Sequence, residues 1–396
     1  MPHIRFYVLL LFTTAFFGNT FASGAGAITS APSGINPPTL RGYIREMPAI
    51  RLDNDFSNPS FTNLLHNRLN LRWDPAANFR LAIEVRNRLL YNELFRDFPQ
   101  YSDILGRDEG LVDMSWVWLS DGAWIGHTTA DRLYADWRAE NWHVRVGRQR
   151  INWGINLVSN PNDLFNTYSF FDFDYEERPG SDAIRIQHYP GDLSVIQLAV
   201  SPARNSRETV AAGLLNIHVR NYDFQALAGY FRNRLAIGTG WAGSIGGAGF
   251  KGEATWFYDL EEENGTDRGN LVAATGLDYM FGSGTFAVVE FLYNGGYGRR
   301  EGDVFMITEA LRPDNIMFSK YAVTLSAKHP FSPVLNGGIS LMALPDIDAA
   351  FFMPRLDYSL ARDLDLEFVG QIFAGGKNTI FEEAGSAFYL TFQYSF

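Results

Sequence analysis

Cysteine is absent from the 396 residues, so neither a disulfide framework nor a thiolate metal centre is open to this chain. Lysine is scarce: of 33 basic residues only Lys251, Lys320, Lys328 and Lys377 are lysine, and the rest are arginine. Acidic residues outnumber basic ones, and the formal charge of −11 argues against a nucleic-acid partner, which wants a net basic face. Beyond the N-terminus no apolar run reaches ~18 residues, so no membrane-crossing helix is expected. The seven histidines are scattered without HExxH-type spacing, so no metal or cofactor is expected. No Ser/His constellation stands at a recognisable spacing, and the chain is not read as an enzyme. "GAGFKG" (Gly247–Gly252) fits the dinucleotide fingerprint literally, but no βαβ unit surrounds it, and it reads as a turn entering a strand. The acidic run Asp259–Asp267 reads as a solvated outer loop in preference to a cation site.

What is present is alternation. Leu65, Leu69, Leu71 and Trp73 alternate with His66, Asn70 and Arg72, and Phe79, Leu81, Ile83 and Val85 alternate with Arg80, Glu84 and Arg86. The same period recurs to the end, where Phe388, Leu390, Phe392, Tyr394 and Phe396 share one face of an extended segment. Hydrophobic content is 46% and aromatic content 15%, but these residues are spread by alternation instead of gathered into blocks. At the N-terminus, His3 and Arg5 precede an apolar run from Phe6 to Phe17 and then small residues, the order of a secretory signal peptide. Residues 1–22 are therefore expected to be removed, most simply after Ala22, with Ala25-Gly26-Ala27 as the alternative site. Residues 23–396 show no linker or composition shift and are read as one domain.

Export, alternation and a charged second face together favour a transmembrane barrel over a soluble sandwich: one face meets lipid and the other meets water in the lumen. The fold class expected is all-β, an antiparallel up-and-down transmembrane barrel. Counting back from 385–396 through alternating turns and loops gives eighteen strands, the first at 40–49, with sixteen as the alternative. The segment Leu111–Trp124 falls in an outer loop, conceivably as a hairpin. A barrel of this width encloses an aqueous channel unless something plugs it.

Two stretches carry resemblances. The final strand resembles the C-terminal signature of bacterial outer-membrane proteins, which implies that Phe392, Tyr394 and Phe396 are read by the barrel-assembly machinery of a Gram-negative cell. "VGRQRINWGINLVSNPNDLF" (Val146–Phe165) resembles a motif of alginate-export-like and related porin-like channels, through Gly147-Arg148-Gln149, Trp153-Gly154, Asn160-Pro161 and Asp163. It implies a substrate-conducting barrel in which a strand leads into a loop folded toward the lumen. The 151–181 connection is rich in aromatics (Phe165, Tyr168, Phe170, Phe171, Phe173, Tyr175), which are costly to leave in water. Packing on the inner wall and contact with lipopolysaccharide at the rim both answer that cost, and both stay open.

Arginine binds carboxylate or phosphate in a two-pronged way, so an inward ladder of arginines would guide anions. The residues expected to do so are Arg80, Arg86, Arg138, Arg145, Arg148, Arg150 and Arg185, with Asp163 beside them. Glu253, Asp278, Glu290, Asp357 and Glu367 take the same phase later and are expected to form a facing acidic wall. The function expected is an outer-membrane channel for passive diffusion or export of small hydrophilic or anionic solutes. The alternative is a loop-plugged barrel serving as receptor or structural envelope protein. Its surroundings are outer-membrane lipid and lipopolysaccharide.

Overall fold

A sheet with strands of period two has no edge only if it closes on itself, and this one does. The computed structural model describes residues 37–167, 170–171, 180–261, 268–298, 311–376, 379, 381–382 and 384–396. The expected signal peptide lies outside them, as do Tyr168, Phe173, Tyr175, Lys377 and most of the Asp259–Asp267 run. Among the described residues the strands are β1 (Thr39–Leu52), β2 (Ser60–Ala76), β3 (Phe79–Asn92), β4 (Ser115–Asp121), β5 (Trp124–Ala139) and β6 (Trp142–Gln149). They continue as β7 (Ser181–Gly191), β8 (Ser194–Ser201), β9 (Val210–Val219), β10 (Tyr222–Phe231), β11 (Arg234–Ile245), β12 (Ala248–Asp259) and β13 (Gly269–Met280). The last are β14 (Phe286–Asn294), β15 (Tyr321–Pro330), β16 (Leu335–Leu344), β17 (Ala349–Ala361), β18 (Leu364–Ala374) and β19 (Ser386–Ser395). A single turn of 3-10 helix (Glu93–Arg96) and the short helix α1 (Tyr101–Gly106) lie between β3 and β4.

Every neighbouring pair is antiparallel, and β19 pairs with β1 from Tyr43↔Ser395 to Leu52↔Ser386. Eighteen strands close the barrel, and the sixteen-strand count is excluded. The nineteenth, β4, is not a wall strand. It forms a hairpin with the loop-end half of β5 (Ser115↔Thr129 to Asp121↔Trp124), while β6 takes the same β5 edge lower down, from Leu133↔Arg148 to Ala139↔Trp142. So Leu111–Trp124 does supply one arm of a hairpin, but the other arm lies beyond it, in the Trp124–Thr129 part of β5. GAGFKG is the β11–β12 turn, with Gly246 and Gly247 both at positive φ.

The ladder assigns each phase to a side. Leu40↔Leu71↔Ile83↔Leu133 form one lateral row, and all four are exposed on the outer surface. Five residues along β1, in the opposite phase, the row Gln393↔Arg45↔His66↔Arg88↔His127 faces inward, and Arg45, His66 and His127 are buried. Outward aromatics mark the two ends of the apolar band: Trp137 and Trp142 near the turns, Phe61 and Trp124 near the loops.

The terminal residue takes part in closure. Phe396 N–H donates to the Gly42 carbonyl at 2.9 Å and Gly42 N–H donates back to Phe396 at 3.0 Å, while the Phe396 ring stays on the outer face. Deleting Phe396 removes both bonds at the seam and the terminal aromatic together. The expected outcome is less heat-modifiable folded barrel in the outer membrane with unchanged conductance per channel. Wild-type folded levels would mean that neither closure nor recognition depends on this residue.

Candidate functional site: the lumen and its inward loop

Two residues before strand β6 ends at Gln149, Gly147 adopts φ +114, a conformation an L side chain resists, and a Cβ there would run into the Leu133 carbonyl. The chain then leaves the wall and crosses the lumen. Ile151, Trp153, Asn162, Asp163 and Leu164 are all buried. Such a loop carries backbone amides with no ladder partners, and the wall must supply acceptors. Glu253 on β12 supplies three: one carboxylate oxygen accepts from Ile155 N–H (3.2 Å) and Asn156 N–H (3.1 Å), the other from Asn162 N–H (3.1 Å). Glu290 on β14 accepts from Val158 N–H (3.1 Å) and Ser159 N–H (2.7 Å). Amides complete the seam: Gln225 on β10 donates to the Trp153 carbonyl at 2.8 Å, and Asn162 Nδ2 donates to Gln225 at 2.6 Å.

Farther along, Phe171 sits against Phe318, Phe351, Phe373 and Phe381, and Gln371 on β18 donates to its carbonyl. The inner-wall reading of the aromatic loop therefore holds for its described residues. A second segment also turns inward. Leu311, Ile316, Met317 and Phe318 are buried, Arg234 on β11 pairs with Asp314 at 2.5 Å, and Asn294 donates to the Met317 carbonyl. The apolar triplet Ile316-Met317-Phe318 in a long connection was the one sequence signal for it.

These anchors change the reading of the acidic wall. Glu253 and Glu290 are 1% and 3% exposed and are taken up by loop amides, so they present no charge to a solute. Asp278 pairs with Lys251 (2.8 Å), Asp357 with Arg355 (2.8 Å), and Glu367 with Arg355 (3.1 Å). The facing wall is a docking strip for the loop, not an open acidic surface.

The arginines divide by partner. On the inner wall, Arg80 is tied to Asp74 (2.7 Å), and Arg138 and Arg145 share Asp136 with His143. Arg145 also lies over the Tyr134 ring at 4.2 Å. Arg68 bridges Asp131 and Glu84, each at 2.6 Å. Arg86 donates to His66 (3.1 Å), and Arg88 meets His127 (2.9 Å), both without a carboxylate in those contacts. Arg185 stands directly opposite Arg145 and has no hydrogen bond or ion pair among the described residues. Among the described residues Arg150 reaches only Asn152, at 3.4 Å.

Two of the expected guiding residues serve the fold instead. Asp163 is fully buried, accepting from Trp153 N–H at 3.3 Å. Arg148 lies in the phase of Leu133, off the inward face of β6, and is held in a clamp. Its guanidinium pairs with Asp182 (2.7 Å) and Asp108 (2.7 Å) and donates to the Val112 carbonyl (2.7 Å), so it ties the 108–112 loop to β7. Burial pushes the Asp108 carboxyl up, but Arg148 and the amides of Met114 and Gly110 outweigh that and hold it below the usual carboxylate range. A lowered pKa gives stability that is present above the unfolded value and lost only as pH falls through the folded one. The clamp should thus survive at pH 4–5, close to the ordinary aspartate value of ~3.9. Arg148→Gln strands two buried carboxylates, at a local cost of about 3–5 kcal/mol. It should make the 107–114 segment protease-sensitive at neutral pH, and resistance equal to wild type would show that the clamp does not hold the loop.

Above the inward loop lies a cavity of about 770 Å³ bordered by Arg88, His127, Asp131, Phe165 and Arg232. No group of His, Asp or Glu suited to a metal ion occurs among the described residues.

No protein-family model matches the chain, and no curated protein matches it. Solved structures do. OccAB1 of Acinetobacter baumannii aligns with TM-score 0.56 at 10% identity, over 93% of this chain and 98% of its own. OprD, an outer membrane protein of Pseudomonas aeruginosa, gives 0.56 at 8% identity, over 92% and 95%. The fold is that of an outer-membrane porin-like barrel. OccK11 (OpdR) of Pseudomonas aeruginosa agrees, at 0.55 and 11% identity over 91% and 96%. The narrower alginate-export-like resemblance of Val146–Phe165 gains nothing from these likenesses.

Proposed function

We propose that the protein is an outer-membrane channel that admits small hydrophilic solutes and favours anionic ones. The observation that carries this reading is the one-sided charge of the inner wall. Consecutive wall strands β1, β2, β3, β5, β6 and β7 carry arginines in their inward phase: Arg45, Arg68, Arg86 and Arg132 are buried in the wall and Arg88, Arg145 and Arg185 are partly open to the lumen, while the carboxylates of the far wall are engaged by the loop or by cations. A positive stripe in a narrow aqueous space raises the local anion concentration and gives carboxylate or phosphate groups paired donors to move along. The fold's likeness to OprD, an outer membrane protein, supports the location.

A second reading has its own observation. Residues 151–167, 170–171 and 311–318 lie inside the barrel, which favours a closed body acting as receptor or envelope component. Purified protein in a planar bilayer separates the two. Discrete conducting steps with anion preference at low salt support the channel, and silence from demonstrably folded protein supports the closed barrel.

A further inference from the structure

The outer surface of this barrel is apolar on most strands and polar on one sector. Glu46 is opposite Leu65 on one side and Phe392 on the other, both exposed outward, so its carboxylate points toward lipid. Asn63, in the row above, donates to it at 2.6 Å. In the row below, Ile44↔Asn67↔Asn87↔Thr128 run side by side. A chain of hydrogen bonds passes along that row: Trp118 Nε1 to Thr128 (3.2 Å), Thr128 to Asn87 (2.8 Å), Asn87 to Asn67 (3.2 Å), and Asn67 to the Tyr43 carbonyl (3.1 Å). One row lower, Gly42 and Ala130 leave the surface shallow. These rows sit between the outward aromatics Trp137 and Trp124, within the apolar band.

We infer that the outward face of β1, β2, β3 and β5 is where two copies of this chain meet side by side in the membrane. Acyl chains offer no hydrogen bonds, and each asparagine amide here still has an N–H and a lone pair to place. Lipopolysaccharide sugars and phosphates lie at the rim, above these rows, and a soluble partner does not reach them. The occupant must be another membrane-embedded surface that brings both donors and acceptors. A second copy does so, because asparagine is complementary to itself. Among the described residues the sector is also single. Ile196, Leu198 and Val200 on β8, Ile237 on β11 and Leu325 on β15 present only hydrocarbon, and the outward hydroxyls of Thr239 and Thr275 are taken by carbonyls of their own sheet. One self-complementary patch per chain closes as a two-fold pair, whereas a ring needs two different patches.

The chain's lack of cysteine makes the test direct. Asn67→Cys in the full-length protein, oxidised in outer-membrane vesicles, should shift on a non-reducing gel to twice the monomer mass. Ile237→Cys, also outward but across the barrel, should stay monomeric. Wild-type protein in mild detergent should show the doubled mass by native mass spectrometry, which decides the matter even if Asn67→Cys folds poorly. Equal behaviour of the two cysteine variants, a monomeric native mass, or an adduct of any other size overturns the inference.

Discussion

Glutamine at both Glu253 and Glu290 should release the inward loop and raise single-channel conductance. Five backbone amides of the 155–162 stretch end on these two carboxylates. Leaving a buried amide without its acceptor costs about 1–3 kcal/mol, so stranding even two of the five at the low end shifts the bound-to-released ratio roughly thirtyfold. Glutamine keeps one carbonyl acceptor but turns a donor toward the Asn162 N–H, so the size is conserved and the latch is not. The barrel itself should remain, because neither residue bears on strand closure at the β1–β19 seam. Conductance in a planar bilayer and protease cleavage within 151–167 are the paired readouts. A folded double variant with unchanged conductance and an uncut loop would falsify the latch.

The second expected result concerns selectivity. Arg86, Arg88, Arg145 and Arg185, replaced together by glutamine, should move the reversal potential toward cation preference at low salt. Each unit charge is worth about 1 kcal/mol at 4 Å in water, a factor of about five in local anion concentration. The Debye length falls from about 10 Å at 0.1 M to 3 Å at 1 M, so the shift should shrink with added salt. Arg80 and Arg148 are left out because Asp74, Asp108 and Asp182 hold them. Arg145 is included although Asp136 holds it, because that one carboxylate is shared with Arg138 and the pair keeps an excess of positive charge. Arg148→Gln by itself should open the 107–114 segment and leave selectivity alone. A quadruple variant whose reversal potential matches wild type at low salt counts against the positive stripe as the selective element.

The wall was legible from sequence because period-two alternation reports directly which side of a sheet a residue faces. All eighteen wall strands were anticipated, including β1, whose "LRGYIREMPA" is a mixed and weak pattern that only the need to close the sheet recommends. The lumen was far less legible. Glu253 and Glu290 were correctly placed inward, but nothing local in the sequence shows that amides about a hundred residues earlier will cover them. Arg148 was misread against its own alternation: the period that turns Val144 and Val146 outward puts Arg148 with them, in the phase of Leu133, while Arg145 faces inward. Glu46 escaped notice for the reverse reason. Its neighbours in sequence are unremarkable, and only its cross-strand partners Leu65 and Phe392 reveal that it faces outward.

The seam between β1 and β19 has a kinetic consequence. It joins Tyr43 to Ser395 and Leu52 to Ser386, so its contacts span almost the whole described chain. Apart from the seam, each wall strand is paired with its sequence neighbour and can be laid down hairpin by hairpin. Contacts of such long range form late, because a large loop must be closed before any of them is rewarded. Until then an open eighteen-strand sheet exposes two unpaired edges, each a template for strand exchange with another chain. The interval before closure, more than the stability of any hairpin, should set how much of this protein is lost to aggregation during assembly.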